Sequence, residues 1–357
     1  MEQSSWFHQS IQPLNQAAKQ AAKLRQTQLT KPAGSLGRLE ELAVRLTAMQ
    51  AREFPKMNQA WVSVFAGDHG LAQAGVSAFP AEVTAQMVHN FLHGGAAIAV
   101  LAKQQHMDFE VVDVGVSSDF QPQPYPEGHK GLVIAKVAKG TASSLDQAAM
   151  SHAQCLAALE AGKQAAERAF AAQADCFIGG EMGIGNTSAA SLLIAKLTGH
   201  ALAPLVGAGT GLDSAGVERK RAILAQVLEK HAAVESQDAL AVLATFGGFE
   251  IAALAGAYIR CAQLGLPVLV DGVISSAAAL VAEQLCPGAK DWWIFSHLSV
   301  EPAHQVCLNA LGAQPLLQLD LRLGEGSGAA LAWPLVQQAC WLHNQMATFA
   351  EAAVSES

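Results

Sequence analysis

The sequence is poor in charge, and this excludes one large class of proteins. Only 15% of its 357 residues are charged, and 30 acidic residues against 22 basic ones give a formal net charge of −8. A nucleic-acid-binding protein needs basic residues to replace the counterions of the phosphate backbone, so nucleic acid is not expected as a partner. Hydrophobic residues make up 51% of the chain, an excess that predicts a subunit interface.

Cysteine pairs, a secretory signal and a membrane span are also missing. The six cysteines are scattered singly through apolar segments, at positions 155, 176, 261, 286, 307 and 340. Without a Cys-x-x-Cys pair, they predict small core residues in a reducing cytoplasm rather than disulfides or a zinc site. The first six residues have neither a basic nor an apolar region of a signal peptide. The most apolar long window, 251–270, contains Arg260 and Pro267 and therefore predicts a helix, a turn and a strand instead of a membrane span.

Standard nucleotide and hydrolase motifs are absent as well. There is no Gly-x-x-x-x-Gly-Lys-[Ser/Thr] loop and no Gly-x-Ser-x-Gly elbow. Gly183-Ile-Gly185 does not continue as a Gly-x-Gly-x-x-Gly dinucleotide motif, because Asn-Thr-Ser follows it. The paired acidic residues typical of enzymes that use phosphoribosyl diphosphate and magnesium are also lacking. The sequence therefore predicts no cofactor.

What the chain does contain is one recurring unit, an apolar run that ends beside a glycine or a polar residue and is followed by a helical stretch. Strands are predicted in the following ranges: 61–66, 109–114, 176–178, 267–270, 292–295 and 316–323. Helices are predicted in the following ranges: 8–30, 38–50, 82–104, 146–172, 217–231 and 248–263. Alternating strands and helices with nearly continuous apolar strands predict an α/β, Rossmann-like fold, a mostly parallel sheet with helices on both faces.

The two ends of the chain differ from its middle. Residues 1–50 and 333–357 have helical periodicity without strands. We therefore expect them to form a small helical subdomain, with residues 51–332 as a large α/β catalytic domain.

Polar side chains accumulate where the predicted strands end. They are Asp68, His69, Glu181, Asp271, His297 and Glu325. Ligands of open parallel sheets bind outside the carboxyl ends of the strands, so this accumulation indicates an enzyme.

Residues 177–197 predict a buried strand, a glycine-rich turn and an alanine-rich helix that begins near Asn186-Thr187-Ser188. The backbone N–H groups at such a helix start point outward and suit an anion such as phosphate. An ordinary tight turn between strand and helix is the alternative interpretation. Glu181 precedes the glycines, so capping the helix does not explain it.

Two further residues have both a functional and a structural interpretation. Glu325 lies between glycines, where desolvation would raise the pKa of its carboxyl group and suit it to act as a general base; a carboxylate that caps the next helix is the alternative. Lys220, in Glu-Arg-Lys-Arg at the start of a helix, is either a phosphate partner or part of a solvated face.

A metal site is weakly indicated. His89 and His93 are four residues apart on a predicted helix, but Asn90 replaces the Glu of a His-Glu-x-x-His motif. Asp68-His69 is either a metal or acid/base pair or a hydrogen-bonded turn. We predict no metal; a metal-dependent hydrolase using these four side chains is the rival interpretation.

Taken together, the segments resemble the nicotinate-nucleotide:dimethylbenzimidazole phosphoribosyltransferase family over nearly the whole chain. The resemblance includes Lys31-Pro-Ala-Gly-Ser-Leu-Gly, Ala66-Gly-Asp-His-Gly, Gly75-Val-Ser-Ala-Phe-Pro, Gly180-Glu-Met-Gly-Ile-Gly-Asn-Thr-Ser, Val206-Gly-Ala-Gly-Thr-Gly, Gly247-Gly-Phe-Glu, Leu269-Val-Asp-Gly, Ser296-His-Leu-Ser and Arg322-Leu-Gly-Glu-Gly-Ser-Gly. Each segment alone is modest evidence, whereas their order and joint presence are specific.

The resemblance implies transfer of phosphoribose from nicotinate mononucleotide to 5,6-dimethylbenzimidazole or a related base, by a homodimer. Glu325 matches the family's catalytic base, and Glu181 matches its second acid. The residues implied in nucleotide binding are Gly183, Gly185, Asn186, Thr187, Ser188, Gly207, Gly209 and Lys220. Ser296 belongs to the segment that reaches toward the partner's site in the family's dimers.

The sequence departs from the family at the pocket for the incoming base. Where well-known members carry a Ser before Pro and, some residues on, a Gln, this chain has Phe79 and Met87. The resemblance therefore implies a differently shaped base pocket, which affects base preference more than the type of reaction.

Overall fold

The structure, a computed structural model, describes residues 5–121, 129–209 and 211–355. Its α-helices are α1 (Gln16–Gln28), α2 (Arg38–Gln50), α3 (Val83–Leu92), α4 (Ala97–Gln104), α5 (His152–Ala171), α6 (Asn186–Thr198), α7 (Ser214–Lys230), α8 (Ala239–Phe246), α9 (Phe249–Leu264), α10 (Val273–Leu285), α11 (Pro302–Leu311), α12 (Ser327–Gln345) and α13 (Phe349–Ala352). None of the helices within these ranges is long and apolar enough to span a membrane.

Six strands form one parallel sheet. They are β1 (Ala60–Gly67), β2 (Asp108–Gly115), β3 (His129–Ile134), β4 (Cys176–Met182), β5 (Val268–Val270) and β6 (Trp293–Phe295). Their order across the sheet is β3-β2-β1-β4-β5-β6, with every neighbouring pair parallel. This is the doubly wound order of Rossmann folds, in which ligands bind outside the carboxyl ends of the strands. The prediction of an α/β parallel sheet is confirmed.

Two adjacent glycines of β4 show that helices cover both faces of the sheet. A Cβ on Gly179 would lie 2.5 Å from the Leu254 side chain of α9, whereas a Cβ on Gly180 would lie 2.1 Å from the carbonyl oxygen of Glu325, just before α12. Since successive strand residues point to opposite faces, α9 and the start of α12 lie on opposite sides of the sheet. The lack of side chains lets both approach β4 closely.

The structure corrects the predicted strand at 316–323. This segment runs beside the chain that follows β6, joined by backbone hydrogen bonds such as Leu298 N to Leu317 O at 2.9 Å, but forms only an isolated bridge there. Alternating leucines suggested a half-buried strand, yet the Leu319 and Leu323 side chains are 55% and 60% exposed.

Other boundaries also differ from the predictions. The predicted helix 82–104 is two helices, because the chain turns at Gly94, whose φ is +79°, and Gly95 packs against Asn90. Helix 8–30 is shortened to α1, and edge strand β3 was not predicted. The remaining predicted strands and helices correspond to elements of the structure, and α2 has the predicted bounds.

The division into a terminal subdomain, 1–50 with 333–357, and a large domain stays a prediction, and residues 1–4 and 356–357 lie outside the described ranges. Contacts between the two terminal segments support it. Arg25 Nε of α1 donates to the carbonyl oxygen of His343 at 2.8 Å, and Gln26 Nε2 lies 2.8 Å from His343 Nδ1. Helix α2 also packs on both α1 and α12.

All six cysteines lie within the described residues, and each is buried with a free thiol. Burial raises the pKa of the Cys155 and Cys340 thiols to about 12. They are core residues, as the sequence predicted.

Candidate active site

A cavity of about 350 Å³ opens at the carboxyl ends of β4, β5 and β6. Glu181 lies near the end of β4, Asp271 directly follows β5, and His297 follows β6 by two residues. The strand order brings these three segments together although they are far apart in sequence. Eight of the predicted site residues line the cavity: Phe79, Met87, Glu181, Gly183, Asn186, Thr187, Gly209 and Glu325.

The glycine-rich turn after β4 leads into α6. Gly185 has a φ of +98° and precedes the first helical residue, Asn186, so the chain turns sharply at the helix start. Gly183 has no room for a side chain, because a Cβ would lie 2.4 Å from the carbonyl oxygen of Gly67. Thr187, in the first turn of α6, borders the cavity. A helix N-terminus faces this end of the cavity, as an anion site requires.

Lys220 lies behind this helix start and is not part of a solvated face. Its side chain is fully buried, and Nζ donates to Thr187 Oγ1 at 2.8 Å. Burial lowers the pKa of Lys220 to about 8, and the charge of Glu301 acts in the opposite direction. A cation thus lies in contact with a cavity residue at the helix N-terminus, where it adds to the positive end of the helix dipole.

Four other predicted residues do not line the cavity. They are Gly185, Ser188, Gly207 and Ser296, none of which is among the wall residues in the described ranges. Gly207 makes room for a cavity residue, since a Cβ there would lie 2.3 Å from Glu301 Oε2. The Ser296 hydroxyl lies 2.9 Å from Nδ1 of His297.

Glu181 is a buried carboxyl group held by two donors. Its Oε1 accepts the backbone N–H of Glu325 at 3.4 Å, and its Oε2 accepts the side-chain amide of Asn186. Burial raises the pKa of Glu181 well above its usual range, and the negative charges of Asp271 and Glu250 act in the same direction. The residue therefore connects the start of α6 to the segment that carries Glu325.

Glu325 has the properties of a general base. It lies between Gly324 and Gly326 in a turn whose three residues have φ values of +85°, +66° and +90°. Burial raises the pKa of Glu325 to about 7, Asp271 adds to the rise, and a hydrogen bond from the Ile98 backbone opposes it. Among the described residues, its Oε2 has no hydrogen-bond partner. A carboxylate with a free oxygen and a pKa near neutrality can accept a proton at physiological pH.

Sequence reasoning assigned no role to several polar residues that line the cavity. They are Asp271, His297, Ser299, Glu301 and Arg322. Asp271 and His297 were recognised as polar residues at strand ends, and both lie in segments that carry the family resemblance, Leu269-Val-Asp-Gly and Ser296-His-Leu-Ser. Neither observation assigned them an individual role.

The histidines considered as metal ligands of a hydrolase make other contacts in the structure. His69 Nε2 lies 2.6 Å from Glu250 Oε1, and both side chains are buried. Burial lowers the pKa of His69, but the charge of Glu250 and its hydrogen bond outweigh this effect and the pKa is raised. His89 and His93 are surface residues with ring centroids 6.5 Å apart. Within 5–121, 129–209 and 211–355, no group of three or more His, Cys, Asp or Glu side chains is arranged to hold a metal ion.

Comparison with known proteins identifies the class to which this fold and site belong. A family model described as phosphoribosyltransferase matches residues 11–354, so the chain belongs to this phosphoribosyltransferase family. The nicotinate-nucleotide–dimethylbenzimidazole phosphoribosyltransferase of Azotobacter vinelandii is 52% identical over 352 residues, which cover 99% of this chain and 98% of the relative. The enzyme of that name from Pseudomonas syringae pv. syringae is 52% identical over 353 residues, which cover 99% of each chain.

A solved structure agrees with these sequence relatives. The crystal structure of the Thermus thermophilus enzyme of that name superposes with a TM-score of 0.89 at 43% identity and covers 96% of this chain and 100% of its own. The family resemblance inferred from the sequence motifs is confirmed.

Proposed function

We propose that the protein transfers the phosphoribosyl group of nicotinate mononucleotide to 5,6-dimethylbenzimidazole or a related base. The products are α-ribazole 5′-phosphate and nicotinate, and the riboside phosphate serves the nucleotide loop of cobalamin. The observation that carries the proposal is the buried Glu325 carboxylate, which has a pKa near 7 and borders a cavity that ends at a helix N-terminus. The enzymes named above, with which this chain shares about half of its residues, support the choice of substrates.

The reaction needs a base but no acid for the leaving group. In nicotinate mononucleotide the pyridine nitrogen is cationic, so the C1′–N bond breaks with its electron pair going to nicotinate. One ring nitrogen of the benzimidazole forms the new bond to C1′, and the proton on its other nitrogen passes to Glu325. Attack on the face opposite nicotinate inverts the anomeric carbon. The carboxyl oxygen atoms of Glu181 and Asp271 would stabilise the cationic character that the ribose develops.

The two ends of the cavity suit the two substrates. Backbone N–H groups at the start of α6, with Thr187 and Lys220, suit the 5′-phosphate of the nucleotide. Phe79, Val83 and Met87 supply an apolar wall for the flat base. Gly183, Gly185, Asn186, Ser188, Gly207 and Gly209 would shape the nucleotide end, and Ser296 would support it through His297.

We also propose that the protein is a cytoplasmic homodimer. Large apolar side chains that border the cavity remain exposed in the single chain, with Phe79 at 49% and Leu323 at 60%. A second copy would remove such surface from water. The six free thiols suit a reducing compartment. Light scattering after size exclusion tests the dimer, and a monomeric mass at the assay concentration would contradict it.

The function itself is tested by mixing the protein with nicotinate mononucleotide and 5,6-dimethylbenzimidazole and separating the products by chromatography. We expect nicotinate and a riboside phosphate in equal amounts, and formation of both about 10²- to 10⁴-fold more slowly with the Glu325→Gln protein at the same concentration. Binding of the nucleotide without nicotinate release would instead support a regulatory protein on this fold. Loss of activity on chelation would favour a metal-dependent reaction.

A further inference from the structure

Asp271, which directly follows β5, forms hydrogen bonds with the turn that contains Glu325. Its side chain is 1% exposed directly after β5. Oδ2 accepts the backbone N–H of Gly326 at 3.2 Å, and Oδ1 accepts that of Ala329 at 2.9 Å. One carboxylate therefore binds both the residue after Glu325 and the first turn of α12.

The turn needs such support because of its backbone conformation. Gly324, Glu325 and Gly326 all have left-handed φ values, and Glu325 carries a side chain, which this region disfavours. The turn is also held by a hydrogen bond to Glu181, by a hydrogen bond from the Ile98 backbone to the Glu325 side chain, and by close packing of the Glu325 carbonyl on Gly180. Without Asp271, the N–H groups of Gly326 and Ala329 would lose their acceptor, and the turn would be held less firmly.

Asp271 also acts on Glu325 through its charge. The charged groups that face Asp271 are Glu181 from β4, His297 after β6 and Glu325 before α12; His297 Nδ1 lies 3.8 Å from Asp271 Oδ1. Burial raises the pKa of Asp271, whereas His297 and three backbone N–H donors stabilise its ionised form. An anion at this position disfavours a second negative charge on Glu325 and so increases its affinity for a proton.

We propose that Asp271 is the positioning residue of this site: its carboxylate binds the backbone N–H groups of Gly326 and Ala329 and so fixes the turn that presents Glu325 to the cavity. The inference rests on the proposed function for the role of Glu325 as base. The relationship between the two carboxyl groups is a property of the fold and can be measured without turnover.

The experiment compares Asp271→Asn with the wild-type protein. The amide has a similar shape but lacks the charge and one acceptor oxygen. We expect kcat to fall about 10- to 100-fold and the acid limb of kcat/KM to move to lower pH, because Glu325 then loses its proton more readily. Asp271→Glu, which keeps the charge on a longer side chain, should lower kcat as well but keep the limb near the wild-type position. If Asp271→Asn has the wild-type kcat and its acid limb of kcat/KM lies at the wild-type pH, the proposal is overturned.

Asp113 offers a matched control on another strand. It is also fully buried and accepts two backbone N–H groups, from Gly115 at 3.1 Å and Val116 at 2.9 Å, at the end of β2. Asp113→Asn should lower the melting temperature but leave the acid limb in place. If the acid limb of kcat/KM moves as far in Asp113→Asn as in Asp271→Asn, Asp271 acts only through stability and the proposal is overturned.

A second measurement separates this proposal from the proposed function. The carboxyl carbon of Glu325 is followed by ¹³C NMR in glutamate-labelled protein and assigned by its loss in Glu325→Gln. Its titration midpoint should move to lower pH in Asp271→Asn. If the wild-type protein releases no nicotinate but the midpoint moves, the reaction assignment fails and the role of Asp271 stands. If nicotinate is released and the midpoint does not move, the role of Asp271 fails.

If Asp271→Asn does not fold, Asp271→Glu decides the matter. Because this variant displaces the turn but keeps the charge, we expect a reduced kcat and an unchanged titration midpoint of Glu325. Wild-type kcat in this variant would overturn the proposal.

Discussion

The backbone N–H of Glu325 donates to Oε1 of Glu181 at 3.4 Å, which joins the turn before α12 to the end of β4. Asn186 donates to the other oxygen of the same carboxyl group. The proposed base and the proposed phosphate turn are therefore held in one hydrogen-bonded unit. We therefore expect a substitution at one end of the cavity to affect the other end through Glu181.

Glu325→Gln should lower kcat about 10²- to 10⁴-fold with little change in KM, because the amide cannot take the proton of the incoming base. The wild-type pH profile provides a second check. A base is active when deprotonated, and burial raises the pKa of Glu325 to about 7, so kcat/KM should fall as the pH is lowered through about 7. Steady-state rates of nicotinate release between pH 5 and 9 measure both effects. Wild-type turnover in Glu325→Gln would show that another group takes the proton.

Lys220→Ala should raise KM for nicotinate mononucleotide about 10- to 100-fold, the value of a lost charge-assisted hydrogen bond, and change kcat less. The pKa of Lys220 is lowered to about 8 by burial, so its charge, and with it nucleotide affinity, should decline as the pH rises above about 8. The control is Lys230→Ala, an exposed lysine at the end of the same helix. An unchanged KM in Lys220→Ala would remove this residue from the phosphate site.

Gly180→Ala should reduce activity more than stability. The new Cβ would lie 2.1 Å from the carbonyl oxygen of Glu325, and backbone at this distance must move. We expect a loss of about 10²-fold in kcat/KM, since small displacements of catalytic groups are costly. The matched control is Gly179→Ala, whose Cβ points to the opposite face against Leu254 and Tyr258, and which should lower the melting temperature more than the rate. A larger loss of kcat/KM in Gly179→Ala than in Gly180→Ala would contradict the conclusion that Gly180 supports the turn that contains Glu325.

Phe79→Ala should raise KM for the benzimidazole about 3- to 10-fold and leave KM for the nucleotide unchanged, because it removes part of an apolar wall. Phe170 is a suitable control, since its side chain is also 49% exposed but lies on α5, which leads into the opposite end of β4. Initial rates with each substrate varied in turn measure the two KM values. Equal effects of Phe79→Ala and Phe170→Ala would argue against a base pocket at Phe79.

Local sequence signals predicted much of the fold. Continuous apolar runs located five of the six strands, and the periodicity of 38–50 predicted α2 with its observed bounds. Edge strand β3 was missed because its residues are only partly buried and do not form an apolar run. The alternation in 316–323 suggested a strand, but Leu319 and Leu323 are exposed, and pairing with a neighbouring strand cannot be derived from alternation alone.

The site was predictable to the extent that each residue lies in a local motif. Position after an apolar strand identified Glu181 and Asp271, and flanking glycines identified Glu325. The sequence left Lys220 between two interpretations because burial depends on how α7 packs on α6. The link from Asp271 to Gly326 was not predictable, since it joins residues 55 positions apart through tertiary packing.

The burial of all six thiols provides a way to observe ligand binding without catalysis. A thiol reagent attacks the thiolate, and burial both covers Cys155 and raises its pKa to about 12, so labelling of the native protein requires transient opening. Cys176 begins the strand that ends beside Glu181, which places a natural probe on the element that supports the site. A nucleotide that binds only the closed protein slows this labelling in proportion to occupancy. Substrate affinity can therefore be followed in the native chain, even in variants that no longer turn over.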